Sequence, residues 1–171
     1  MSINPLGGII DIVQGVAPLD FATARTGDYV SLKNWQGCLV VIVKGAGTDG
    51  DDQTFTLQQA TVVAGTDAKD AAVIATYWEK EATALTSVGT WTKVTQTAAT
   101  SIAPGDPTAQ SQALYVFDVP ADVLDVDNGF DCINVSNDGA GNNAQLGCIL
   151  YLLYGPRYGA APESLLSSIA D

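Results

Sequence analysis

The sequence predicts an all-β fold: an antiparallel β-sandwich, jelly-roll-like, built as a single domain with extended N- and C-terminal arms. Three observations lead there. Apolar residues recur mostly at period two in short runs. Clusters of Gly, Asn, Asp and Pro separate those runs where a chain has to turn. No strand–helix–strand rhythm and no second type of composition appears, so nothing calls for a parallel sheet or another domain.

Taken in order, residues 1–27 carry scattered apolar side chains (Ile3, Leu6, Ile9, Ile10, Ile12, Val13) and read as an N-terminal arm. The sandwich domain then spans 28–155. Tyr29–Leu32 is a short strand. Gly37–Lys44 is apolar on both faces and fits a central strand. Gly45–Asp52 is turn chemistry. Gln53–Val63 alternates Phe55 and Leu57 with Thr and Gln, as in a strand covered on one side. Ala71–Ala84 mixes helix formers with Val73, Ile74, Tyr77 and Trp78, and strand is favoured for Val73–Lys80. Thr90–Thr97 is Thr-rich and suits a pleated surface. A loop around Pro104–Pro107 precedes the strand Gln112–Val119, which Pro120 ends. Ala121–Leu124 allows one helical turn, and Asp127-Asn128-Gly129 is a tight turn. Phe130–Ser136 alternates with room for one bulge. Ala144–Tyr154 is the most apolar strand. Residues 156–171, with Leu165, Leu166 and Ile169, read as a C-terminal arm. Arms this apolar dock on their own domain or on a neighbour.

The composition narrows the function. The chain has 171 residues, 47 % apolar, seven Lys+Arg, nineteen Asp+Glu, a net charge of −12 and no histidine. The commonest general acid/base and metal ligand is therefore missing. The cations are scattered singly, which argues against nucleic-acid partners and against anionic membrane surfaces. Cys38, Cys132 and Cys148 form no Cys-x-x-Cys and are odd in number, so they read as small hydrophobes rather than a disulfide framework or zinc site. No secretory signal is recognisable at the N-terminus, and the sequon at Asn134 lies in a strand.

Candidate chemistry is sparse. The acidic turn Asp49-Gly50-Asp51-Asp52 has the donors for calcium, but also the composition of an ordinary solvated turn. Asp122, Asp125, Asp127 and Asp131 surround Asn128-Gly129 without the spacing or closing Glu of an EF-hand. No metal and no cofactor is expected. Trp35, Trp78 and Trp91 with Tyr77 read either as core and interface anchors or as a sugar-stacking platform.

The segments Trp35–Thr48, Asp51–Ala60, Asp125–Asp131 and Leu152–Tyr158 resemble small proteins encoded beside the major capsid protein of tailed bacteriophages. The resemblance covers roughly residues 28–160. It implies a head decoration, or cement, protein that sits outside the shell, often as a trimer, and clamps capsomers after expansion. It brings no catalytic residues, so no enzyme is expected. The implied partners are the major capsid protein and the chain itself as a homotrimer. The implied place is the outer capsid surface of a virion assembled in the host cytoplasm. The expected contacts are Ile9, Ile10, Ile12 and Val13 from one arm and Leu165, Leu166 and Ile169 from the other, with Arg25 and Arg157 pairing to carboxylates. The alternative is a carbohydrate- or receptor-binding β-module of a virion spike or tail, for which Trp78 and Trp91 would stand exposed on one face. A hydrolase working through two carboxylates is a third option, although no spacing singles out a pair.

Overall fold

A computed structural model describes residues 5–82, 89–104, 112–139, 141–165 and 167–169. Among these the architecture is a sandwich of two antiparallel sheets. The strands are β1 (Ile10–Asp20), β2 (Arg25–Thr26), β3 (Val30–Ser31), β4 (Gly37–Lys44), β5 (Phe55–Ala60), β6 (Lys69–Asp70), β7 (Ile74–Ala82), β8 (Thr92–Ala99), β9 (Ser101–Ile102), β10 (Gln112–Pro120), β11 (Cys132–Asn137) and β12 (Leu146–Tyr154). The larger sheet runs β1-β12-β4-β10-β7-β8. The smaller is β2-β11-β5-β6, with β3 on β11 and β9 on β5. Within the ambiguous segment Ala71–Ala84, Ile74–Ala82 is strand β7, and Thr83 and Ala84 lie outside the described residues. The helical turn expected after Pro120 is a 3-10 turn, Ala121–Val123.

The core lies between the sheets. Cys38, Val40 and Ile42 of β4, Tyr115, Phe117 and Val119 of β10, and Ile149, Tyr151 and Leu153 of β12 all point inward and are buried. Phe55 and Leu57 of β5 and Ile133 and Val135 of β11 meet them from the smaller sheet. Each such side chain stabilises the fold by roughly 1.5–3 kcal/mol before ordering costs. Phe21 packs edge-on to Phe55, with centroids 5.7 Å apart and planes at 69°. Tyr151 ties the sheets together, because its hydroxyl accepts the Val135 N–H at 2.8 Å.

Two expectations need correction, and a third is narrowed. Residues 10–20 are not an arm; they form edge strand β1, paired antiparallel with β12 from Ile10↔Tyr154 to Asp20↔Leu146. Irregularities at Gln14/Val16 and Val16/Leu19 break the alternation that would have announced a strand. Pro18 is tolerated because an edge strand has spare donors. Gly15 is there because a Cβ would stand 2.5 Å from Cζ of Tyr151. Of the two docking places expected for the C-terminal segment, the structure shows its own body. Ser31 N–H donates to the Ser168 carbonyl at 2.8 Å, and Trp35 Nε1 donates to Ser168 Oγ at 3.2 Å. Finally, β11 carries no bulge against β5: its register is continuous from Cys132↔Ala60 to Asn137↔Phe55. Its alternation is blurred because Cys132 through Val135 are all buried, so both faces are covered. Asn134 is fully buried and its amide donates to the Gly27 carbonyl, which closes that sequon to modification in the folded chain.

Candidate functional site

The strands place both terminal segments, as far as they are described, at one pole of the sandwich. β1 begins there, and β4 leaves from the same pole to which β12 returns. The two terminal segments lock to each other and to the body. Gly155 N–H donates to the Ile9 carbonyl at 3.1 Å, Ala160 N–H to Gly7 at 3.2 Å, and Arg157 N–H to Asn34 at 2.8 Å. Gly7 holds a φ of 83°, and a Cβ on it would meet the Ala160 carbonyl at 2.5 Å, so this junction demands glycine. Two adjoining clefts open here, of about 770 and 620 Å³. Lys33, Trp35 and Asp131 line both; Arg157, Asp122 and Tyr154 line the first, and Leu165 and Ser168 the second. The Tyr154 hydroxyl donates to Asp118 Oδ1 at 2.9 Å. Burial, then that carboxylate, pushes Tyr154 up to about 12.

The predicted contact residues divide. Ile9 and Ile169 are exposed at this pole, at 50 % and 57 %, beside Tyr158 at 77 %. Arg157 is exposed at the first cleft. Ile10 and Ile12 lie on β1 opposite Tyr154 and Leu152. Val13 and Leu165 face the other way and pack on the core. Leu166 lies outside the described residues. Arg25 sits at the far pole, where its Nε donates to the Asp20 carbonyl at 3.2 Å. The two arginines therefore cannot serve one contact.

One carboxylate of each acidic turn is tied into the fold. Asp51 is buried, and its carboxylate accepts the Asn142 and Asn143 N–H groups at 3.2 Å and the Asn143 amide at 3.0 Å. Those bonds, led by the Asn143 amide, hold it below the usual carboxylate range. Asp125 pairs with Lys69 and accepts the Asn128 amide at 2.8 Å. Among the described residues no group of three metal-ligating side chains comes together.

Sequence reasoning missed the outward face of the larger sheet. Cross-strand partners share a face, and the inward set is buried, so the alternate residues point out. On the outward side Leu152–Leu39, Leu150–Val41–Val116 and Cys148–Val43–Leu114 form apolar rows, and Trp78 follows Val116. Ile12 extends the first row on β1. These side chains are half-buried or exposed. The signal was present: Gly37–Lys44 and Ala144–Tyr154 are apolar without alternation. That reads as a strand covered on both faces, whereas the smaller sheet covers only one.

At the margin of this face Trp78 is 37 % and Trp91 51 % exposed. Trp78 pairs with Lys93, and Lys80 Nζ lies 5.8 Å from the Trp91 ring centroid, so two cations and two indoles share one side of the β7–β8 hairpin. Trp35 and Tyr77 are buried anchors. Glu79 and Glu81 stand on the opposite side, across from Tyr115 and Ala113. Burial, then the Glu81 charge, raises Glu79. Neither carboxylate lines the two clefts, which lie at the other pole.

No protein-family model matches the chain, and no curated protein matches it. No helix of the described residues is long and apolar enough to cross a membrane.

Proposed function

We propose that the chain is a structural virion protein that binds the outside of a tailed-phage head, stabilises the major capsid protein lattice, and acts by binding rather than by turnover. The observation that carries this reading is the pole bearing both termini. Leu6, Ile9, Val126, Tyr158 and Ile169 are exposed there in a chain of net charge −12, beside Lys33 and Arg157. Exposed apolar groups rimmed by Lys33 and Arg157 as well as Asp122 and Asp131 suit a protein surface that is greasy and carries both signs of charge. Weak contacts of this kind, repeated over a lattice, sum through avidity. The outer capsid surface, reached after assembly in the host cytoplasm, is the place this reading implies.

The test is binding to empty, expanded heads. Saturable occupancy is expected, with Ile9→Asp and Arg157→Glu each lowering it about tenfold or more. Occupancy unchanged by both variants would remove the termini-bearing pole from the contact; no saturable binding by the intact chain would remove the function.

A second reading, a carbohydrate- or receptor-binding module of a spike or tail, is favoured by one observation: Trp78 and Trp91 are exposed on one side of β7–β8 with Lys80 and Lys93 between them. Indoles stack on sugar faces, and the two ammonium groups select acidic glycans. A glycan array on which Trp78→Ala and Trp91→Ala abolish a signal would establish it; a silent array would dismiss it.

A further inference from the structure

We infer that the outward face of the larger sheet is the surface through which two copies of this chain pair face to face. The inference does not rest on the head-binding reading, which uses the termini-bearing pole.

Charge distribution is the first argument. The chain carries nineteen Asp+Glu. Yet among the described residues the outward positions of the six strands hold two carboxylates: Asp118, whose Oδ1 accepts the Tyr154 hydroxyl, and Asp20 at one end, opposite Leu146, whose Oδ1 accepts the Ala22 and Gln145 N–H groups. Lys80 and Lys93 stand at the β7–β8 margin. A chain of −12 repels its own copies wherever carboxylates face out. With so few carboxylates on it and two lysines at its margin, this face opposes the approach of a second copy only weakly.

Size is the second. Six strands about 4.8 Å apart make the face about 25 Å wide, and the run Leu146–Leu152 at about 3.4 Å per residue makes it about 24 Å long. That is on the order of 600 Å² per copy. Two copies would bury about 1,200 Å² in total, which reaches the range of specific, stable interfaces. The contact would also repeat what the fold already does, since twisted sheets stack face to face about 10 Å apart.

Geometry decides the number of copies. A ring of three needs two different patches on each chain, whereas a two-fold contact uses one patch twice. Leu39, Val41, Val43, Leu114, Val116 and Leu150 form a single contiguous patch. The assembly it supports is a pair, in place of the trimer that the family resemblance implies.

The test is the oligomeric state of the full chain, without heads, by sedimentation equilibrium over a dilution series. A dimer is expected. Val41→Glu and Leu150→Glu place a carboxylate mid-face and should weaken dimerisation about 100-fold or more while leaving near-ultraviolet circular dichroism unchanged. A monomer or a trimer at every concentration overturns the inference, and so do folded variants that still dimerise. The wild-type chain gives a check free of folding effects. Cys148 is the half-buried thiol, on the apolar face, while Cys38 and Cys132 are buried. Maleimide labelling of Cys148 should slow as concentration rises; a concentration-independent rate overturns the pairing. If the chain stays monomeric but Val41→Glu abolishes head occupancy, the shell covers this face instead, and only the pairing fails.

Discussion

Replacing Tyr151 by Phe should loosen the join between the two sheets. Tyr151 belongs to β12 of the larger sheet, is fully buried, and accepts the backbone N–H of Val135 on β11 at 2.8 Å. Phenylalanine keeps the ring and its packing but removes the acceptor. Val135 N–H is then left in a dry interior without its partner. That cost is the desolvation of one amide, about 1–3 kcal/mol, rather than the smaller net value of an exchanged hydrogen bond. For a chain of this length each kcal/mol lowers the melting midpoint by about 2–4 °C, so a drop of about 2–12 °C is expected. Urea titration should show a lower midpoint with an unchanged slope, because the surface exposed on unfolding is nearly the same. Amide exchange at Val135 should accelerate more than at neighbouring core positions. A loss below about 0.5 kcal/mol, with Val135 as protected as before, would refute the claim that this bond is buried and unreplaced.

Gly15→Ala should cost about 1–3 kcal/mol by overpacking, because its Cβ would meet Tyr151 at 2.5 Å on a ring that cannot retreat; thermal melting checks it, and a neutral result would mean β1 can shift. Asp51 has a folded-state pKa below its ordinary value. The stability it adds is therefore complete at neutral pH and is lost as pH falls through about 4 and below. Melting midpoints at pH 7 and pH 3 should differ more for the wild type than for Asp51→Asn. Trp35→Phe removes the donor to Ser168 Oγ. The C-terminal segment should then be cleaved faster by protease while the core melts within about 0.5–1.5 kcal/mol of wild type.

Much of the body was legible because its strands obey simple rules. β10 alternates Ala113, Tyr115, Phe117 and Val119 inward, and β5 does the same with Phe55 and Leu57. Pro120 and Gly129 mark ends that the structure keeps, the latter with a left-handed φ of 83°. What stayed hidden involved long-range partners. The strand character of β1 depends on β12, more than a hundred residues away, and its irregular register erases the period. The candidate site was half legible. Ile9, Ile169 and Arg157 were named from apolar tails and scarce cations, and they do gather at one pole with Lys33. Arg25 and Val13 were not separable from them by sequence, because local pattern does not say which pole or which side of a strand a residue reaches.

By itself the sequence determined the class of fold, the turn positions, an acidic and histidine-free surface, and which strands are greasy throughout. These follow from period-two patterning and composition, which are local properties. Tertiary structure alone decided which faces of those greasy strands are sealed. β11 is covered on both sides, whereas β4 and β12 are covered on one and present Leu39, Val41, Leu150 and Leu152 outward. The reason is physical: burial of a face is set by what packs across it, and that is fixed only when distant segments meet.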